Sequence, residues 1–475
     1  MSNFTATKNR IEQFLTKEGL IKTKEFTLLT KRAIIYYSDG LTDATLLDEF
    51  VIAPLMKLKS KFFISKKVIK NALLHNEILF EKDFNAAILK VFEGESLLLL
   101  EGCEFYTLIS TKKWAMRPVQ EPPTSAVVKG PREGFVEDFL TNISMVKRRL
   151  KTPSLKFSMQ KIGRLTNTSV AVVYLDGIAD KKVVDSIKSK LSAIDIDGII
   201  DSAYLREHLK GRQFSIFKQI GDTEKPDVLT AKLLEGRVGI IVEGSPIVLT
   251  LPYLLIEDLQ SADDYYTIPF NATFIRTIRY ISVMLGVFMP GFYVATQLFH
   301  LQFIPLRFTL TIASSVKGIP LSPNLEMLFT LFVFELLNEA SIRMPKYVGM
   351  ALSVVGALVL GETAVNAGLI SMPTILIMAL SGIAVYTVPD QRNTLSILRL
   401  FILLLSGAFG IIGLILGALV LAVYLTTLSN YDIPYLAPFA PFVKNDIKDG
   451  LLKSPAVITN QRPQSFNNKN KRRLS

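Results

Sequence analysis

Hydrophobic positions change their rhythm along this chain. Through residue 270, short β-branched or leucine-rich runs such as AIIYY, VAVVYL and VGIIV alternate with segments whose apolar residues recur at helical spacing, which predicts an α/β region. Further on, the apolar runs lengthen to the size of whole helices. Leu400 to Leu428 contains no charged residue, and at about 1.5 Å per residue this run exceeds the ~30 Å hydrocarbon thickness of a bilayer. The pattern predicts an integral membrane protein with four firm spans, at 277–301, 347–368, 371–388 and 397–428. Pro290 falls midway along the first, where it predicts a kink tolerated inside a bundle. The stretch after residue 301 is broken by Pro305, Arg307 and Lys317 and reads as interfacial or re-entrant.

The α/β region carries an internal repeat. AIIYYSDGLTD, residues 33–43, matches VAVVYLDGIAD, residues 170–180, and VFEGESLLLLEG, residues 91–102, matches LLEGRVGIIVEG, residues 233–244. Each unit reads as a strand ending in Asp-Gly, a helix, and a strand closed by Glu-Gly. Glycine after an acidic residue at a strand end is turn chemistry, since glycine takes positive φ without penalty. A metal or catalytic role for Asp39 or Asp176 lacks a histidine or second carboxylate at ligand spacing. The expected fold is therefore an N-terminal α/β region of two related subdomains followed by an α-helical transmembrane bundle. Its divisions are a first cytosolic subdomain at 1–120, a linker and helix at 121–155, a second subdomain at 156–270, the transmembrane domain at 271–430 and a basic cytosolic tail at 431–475. Glu137 and Asp138 mark the start of the linker helix, and Lys147, Arg148 and Arg149 its end. That basic end either closes a linker or contacts a neighbouring subunit or the anionic inner leaflet.

Charge refines the picture. Net charge is +12, but the basic clusters stand beside acidic ones rather than forming a stripe with interleaved aromatics, which argues against nucleic acid. No apolar signal segment opens the chain, and a tail containing Lys444, Lys448, Lys453, Arg462 and Arg472 follows the last span. Both ends are accordingly expected on the cytosolic side. Cys103, the single cysteine, sits in LLLLEGCEF and reads as a buried structural thiol. The three histidines, His75, His208 and His300, are scattered, as is Trp114, and no phosphate-loop, dinucleotide, zinc-protease or nucleophile-elbow motif occurs. The expectation is no enzyme, no cofactor and no metal.

Polar residues inside apolar segments are the functional candidates, because ionisable groups in a bilayer need a protein interior or water. Glu335, Asn338, Glu339 and Arg343 lie at helical spacing within 325–343, a segment that either enters the bilayer or lies on its surface with this stripe solvated. In 347–368 one face carries Gly349, Ser353, Ala357 and Ala364, suited to close helix packing. The other face carries Val355, Val359, Glu362 and Asn366. In a ring of subunits this face forms an apolar constriction followed by a carboxylate ring, the arrangement of a cation pore; the alternative is a Glu362 buried against a neighbouring helix.

Several blocks in order give the chain a family resemblance: YSDGLTDATLLDEFVIAPL, VKGPREGFVEDFLTNISMVKRR, SIFKQIGDTEKPDVLTAKLLEGRVGIIVEGSPIVLTLP, SADDYY and FELLNEASIRMP. Over about residues 33–428 the chain resembles the A subunit of GerA-family spore germination receptors. The resemblance implies a spore inner-membrane protein working with a permease-like B subunit that binds the nutrient and a lipoprotein C subunit. It also implies that A subunits form a homo-oligomeric ring in membrane lipid that conducts monovalent cations when nutrient binds. A second reading makes the chain a non-conducting scaffold and signal relay.

Overall fold

The computed structural model describes residues 2–15, 21–28, 31–38, 41–58, 65–73, 77–112, 118–122, 129–345, 348, 356, 359–450, 452–455, 460–466, 468 and 470–473. The chain divides into two compact units, Met1–Arg117 and Pro118–Ser475.

In the first unit, helix α1 (Ser2–Leu15) precedes strands β1 (Ile21–Leu28) and β2 (Lys31–Ser38). A helical stretch at 44–56, α2 (Lys66–Ala72), β3 (Ile78–Glu81), α3 (Phe84–Phe92), β4 (Ser96–Leu100) and β5 (Tyr106–Ile109) follow. The strands form one antiparallel sheet in the order β1-β2-β4-β5-β3. Side chains alternate across it: Ile34, Tyr36, Leu97 and Leu99 pack with Ile11, Phe84 and Val91, while Ala33, Ile35, Leu98 and Leu100 pack with Leu47, Val51 and Ile69. Burial on both faces is why these strands read as unbroken apolar runs. Cys103 is half-buried against the second of these cores, and burial pushes its thiol up from the ordinary range.

The second unit opens with α4 (Phe139–Arg149), capped by Asp138, which accepts from the Thr141 N–H at 2.7 Å. Strands β6 (Leu155–Ile162) and β7 (Thr168–Leu175) lead to α5 (Lys181–Ser192), α6 (Ser202–Leu209), β8 (Gly221–Thr223), α7 (Pro226–Leu234), β9 (Val238–Val242) and β10 (Val248–Leu251). Their antiparallel sheet has the order β6-β7-β9-β10-β8, the same path as the first. The repeat thus maps strand onto strand, β2 onto β7 and β4 onto β9. Asp43 and Asp180, aligned in sequence, both cap helices, accepting from the N–H groups of Thr45 and Lys182 at 3.0 Å each. The aligned glycines Gly94 and Gly236, and Gly102 and Gly244, all take positive φ, between 80° and 95°. These acidic and glycine positions serve turns and caps. α4 packs through Ile143, Met145 and Val146 on the same sheet face as Leu229 and Leu233 of α7.

Among the described residues, five helices of more than ten residues follow: α8 (Pro269–Phe299), α9 (Leu306–Val316), α10 (Pro323–Arg343), α11 (Met372–Val385) and α12 (Arg392–Thr427). α8 and the region 389–427 are long and apolar enough to cross a membrane, with mean hydropathies of 1.5 and 2.6. α12, however, is not one rod. Gly410 has φ 62° and ψ −142°, and the chain reverses there. An added Cβ at Gly417 would fall 2.6 Å from Ile402 Cδ1, and Gly413 abuts the Leu405 carbonyl. Thr394 donates to the Ile216 carbonyl at 2.8 Å, and Tyr424 donates to Ser215 at 3.2 Å, so the two ends of α12 meet on adjacent residues. In a straight helix, positions 394 and 424 would stand about 45 Å apart. The expected single span at 397–428 is therefore a hairpin of two arms, 392–409 and 411–427. Charge-counting could not reveal this, because a glycine turn between apolar arms needs no polar residue.

The base of the bundle is tied to the second subdomain by buried charge. Asp264 accepts from Arg276 Nε at 2.8 Å and from Arg279 at 2.8 and 3.1 Å, and Arg276 also donates to the Asp449 carbonyl at 2.5 Å. Burial would raise the Asp264 carboxyl, but the two guanidinium groups hold it below its ordinary value. The basic tail is part of this joint: Arg462 donates to the Leu234 carbonyl at 2.8 Å, Asn468 to the Glu235 carbonyl at 2.6 Å, and Phe466 lies 4.5 Å from the Arg237 guanidinium. Asp258 links the subdomain to the start of α12, accepting from Tyr253 and, at 2.5 Å, from Gln391 Nε2.

Two outcomes follow for stability. Gly410→Ala places a Cβ about 3 Å from Phe299 in a backbone region that L residues avoid, and is expected to cost on the order of 1–3 kcal/mol, read as a lower thermal midpoint of the detergent-solubilised protein. Gly361→Ala, where an added Cβ meets nothing within 4 Å, should leave the midpoint unchanged. Burial pushes the Asp258 carboxyl from 3.8 up to about 6 against the pull of Lys218 and of its hydrogen bonds. Because the folded value lies above the unfolded one, its contribution is present in acid and is lost as pH rises from about 4 through 6. Asp258→Asn, with the Gln391 amide turned over, should therefore gain stability relative to the parent across that window, reaching about 2–3 kcal/mol at neutral pH. A parallel pair of midpoint-against-pH curves would contradict this assignment.

Candidate functional site

The bundle encloses a polar seam. Arg399, on the first arm of α12, is 1% exposed, and its guanidinium donates to Glu335 of α10 at 2.5 Å and to the Ser381 hydroxyl of α11 at 3.0 Å. Ser381 in turn donates to the Gly286 carbonyl of α8 at 2.8 Å, and Ser396 donates to Glu335 at 2.7 Å. Four helices thus share one network. A buried arginine without a carboxylate would be destabilising by several kcal/mol in such surroundings, so the pair fixes how α10 meets α12. The Arg399 guanidinium also lies 5.7 Å from the Phe334 ring centroid.

Glu326 forms a second buried polar point nearer the opposite end. It is fully buried, and its Oε1 accepts from the Ser371 N–H at 2.6 Å and the Ser371 hydroxyl at 2.7 Å. Ser371 is the N-cap of α11, so this carboxylate sits at the positive end of that helix.

The stripe expected on 325–343 divides between interior and surface. Glu335 joins the seam, and Asn338 accepts from the Tyr386 hydroxyl at 2.5 Å. Glu339 and Arg343 pair with each other at 2.6 Å on an exposed surface. The segment is a complete helix of the bundle: Gly382 packs under Phe334, and Asn324 lies against Gly407. At the end of α4, Arg148 and Arg149 both donate to Glu133 at 2.7 Å, and the Lys147 ammonium lies 5.2 Å from the Phe157 ring, so this basic cluster has partners within its own unit.

Of the pore-face residues, Val355 lies outside the described residues, as does the Val359 side chain, while Glu362 and Asn366 are exposed one helical turn apart. Gly349, Ser353, Ala357, His75 and Trp114 also lie outside the described residues. Gly356 backs onto α10, where an added Cβ would come 3.0 Å from Leu337. Among the described residues no group of three or more His, Cys, Asp or Glu side chains is placed to hold a metal.

Sequence reasoning missed Arg399 and Glu326. Arg399 stands immediately before the uncharged run and was hidden by it; an arginine within the apolar period of a span is itself the signal. Glu326 was hidden by lying in the first turn of its helix, where an acidic residue usually serves only the dipole.

Comparison with known proteins assigns the chain to a family. The Bacillus/Clostridium GerA spore germination protein family matches residues 9–465. Over 443 residues the chain is 36% identical to spore germination protein KA of Bacillus subtilis strain 168, covering 92% of this chain and 81% of that one. It is 33% identical over 439 residues to the membrane protein YfkQ of the same organism, covering 92% and 86%. The crystal structure of the N-terminal domain of the A subunit of the Bacillus megaterium spore germinant receptor GerK3 matches at 28% identity over 52% of this chain and 94% of that one, with a TM-score of 0.23. The chain belongs to the Bacillus/Clostridium GerA family of spore germination proteins.

Proposed function

We propose that this protein is the A subunit of a germinant receptor in the spore inner membrane, acting with a permease-like B subunit and a lipoprotein C subunit. In this reading copies of the chain assemble as a ring that opens to monovalent cations when nutrient binds. Family membership supports the receptor role. The observation that favours a ring is that Glu362 and Asn366 point out of the protomer while apolar side chains such as Phe332, Ile412 and Leu419 are exposed on the same bundle. A carboxylate on a lipid-facing surface is unfavourable, whereas on a symmetry axis it meets water and the other copies.

The helix contacts support a different topology from the one hydropathy gives. Starting from the Arg276 end, α8 crosses to Phe299, and α10 returns from Asn324 beside Gly407 to Asn338 beside Tyr386. The span expected at 347–368 supplies the next crossing, α11 returns from Ser371, and the α12 hairpin goes out to Gly410 and back to Thr427. In this reading the chain crosses six times where hydropathy gives four, an even number that keeps both ends on the cytosolic, spore-core side expected for them. Both added crossings come in segments that hydropathy reads otherwise, one through its charges and one through its length.

A non-conducting scaffold is the second reading, favoured by the joint that locks the second subdomain, the tail and the base of α8 together. Flux separates the two. The purified chain, alone and with its partner subunits, would be reconstituted in liposomes and potassium efflux recorded. Val359→Ala is expected to raise basal efflux about tenfold, corresponding to ~1.4 kcal/mol off the closed-gate barrier, and to make spores germinate without nutrient. Glu362→Gln should lower cation conductance while leaving assembly intact. Wild-type dormancy and ion retention in Val359→Ala spores would remove the pore assignment from this helix.

A further inference from the structure

The loop at 210–219, between α6 and β8, presents an unusual combination of rigidity and exposure. Its neck is closed by one side chain: Gln219 accepts from the N–H groups of Gly211 and Arg212 at 3.0 and 2.9 Å and donates to the Arg212 carbonyl at 2.7 Å. Gln219 is itself buried, and its carbonyl accepts from Asn430 just past the end of α12. One aromatic of the loop, Phe217, is buried against Tyr424 and Tyr435. The other, Phe214, stands at the tip and is 99% exposed, with Ile216 beside it at 42%. A tip held this firmly cannot fold its phenylalanine inward.

The loop sits where both arms of α12 end. Thr394 donates to the Ile216 carbonyl at 2.8 Å, Tyr424 donates to Ser215 at 3.2 Å, and Arg212 donates to Thr427 at 3.3 Å while lying 5.5 Å from the Tyr424 ring. If the arms cross a bilayer, their ends lie at the headgroups, and so does this tip. An aromatic flanked by arginine at that depth fits the interface, where ring and guanidinium each find their medium.

We infer that the 210–219 loop is a membrane-interface anchor of the second soluble subdomain, with Phe214 entering the boundary between headgroups and acyl chains and Arg212 meeting lipid phosphate. The occupant is the lipid of the same bilayer that the bundle spans, and the inference rests on that spanning assignment. Its effect is to fix the height and tilt of the subdomain against the membrane, so that a change in the arms of α12 is passed to the soluble region at a second point besides the Asp264 joint.

The single tryptophan of the chain makes the test direct. In a Trp114→Phe background, one variant carries Phe214→Trp and another Phe401→Trp, midway along the first arm of α12. Both full-length proteins are reconstituted in phosphatidylcholine and phosphatidylglycerol vesicles containing lipids brominated at shallow or deep acyl positions, and fluorescence quenching is measured. The expected result is a blue-shifted Phe214→Trp emission quenched more by shallow than by deep bromine, with the opposite order for Phe401→Trp. Quenching of Phe401→Trp without quenching of Phe214→Trp overturns the anchor and leaves the spanning assignment standing. A Phe214→Trp signal that is blue-shifted but unquenched shows protein covering the tip and likewise overturns it. Absence of quenching in both variants overturns the spanning assignment and the anchor with it.

Discussion

A charge inside an apolar bundle must find its partner within the protein, and that constraint organises the helical half of this molecule. Arg399 is a buried charge in the middle of the bundle, and satisfying it brings Glu335, Ser381 and the Gly286 carbonyl to one depth from three other helices. Because hydrophobic contact between apolar helices in lipid is nearly indifferent to rotation, directional hydrogen bonds of this kind decide which faces meet. The same rule operates at the base, where Asp264 gathers Arg276 and Arg279. Seam and base are the two levels at which the bundle's register is set.

The soluble half was largely legible from residue patterns. The short β-branched and aromatic runs AIIYY and VAVVYL, closed by Asp-Gly, mark strands β2 and β7, and the matching Glu-Gly segments mark β4 and β9. Two antiparallel sheets with one strand order account for the repeat, and the caps at Asp43 and Asp180 account for the conserved spacing within it. Less visible was the membership of α4. Its sequence reads as a capped amphipathic helix between two repeats, and only the contacts of Ile143, Met145 and Val146 assign it to the second sheet. Capping chemistry is local, while the face a helix covers depends on residues a hundred positions away.

The helical half was legible in composition and misleading in path. Hydropathy measures the length of an apolar run and is blind to its direction, so the reversal at Gly410 and the packing of 325–343 against the bundle both escaped it. A charge count penalised Glu335 without knowing that Arg399 would neutralise it. The 347–368 face of Val355, Val359, Glu362 and Asn366 was likewise proposed from periodicity, and only the outward exposure of Glu362 and Asn366 adds to it.

The tail has a consequence in time as well as in space. Residues 446–473 are made after everything they hold: Asp449 completes the shell around Arg276, and Asn468 and Arg462 satisfy the carbonyls that end α7. The second subdomain and α8–α12 are synthesised before these groups. Until the tail emerges, the Arg276 guanidinium and the carbonyls of Leu234 and Glu235 wait without these partners. The joint between the second subdomain and the bundle therefore closes only after Asn468 is made, and a chain truncated before it would expose just the buried polar groups that quality-control proteases find.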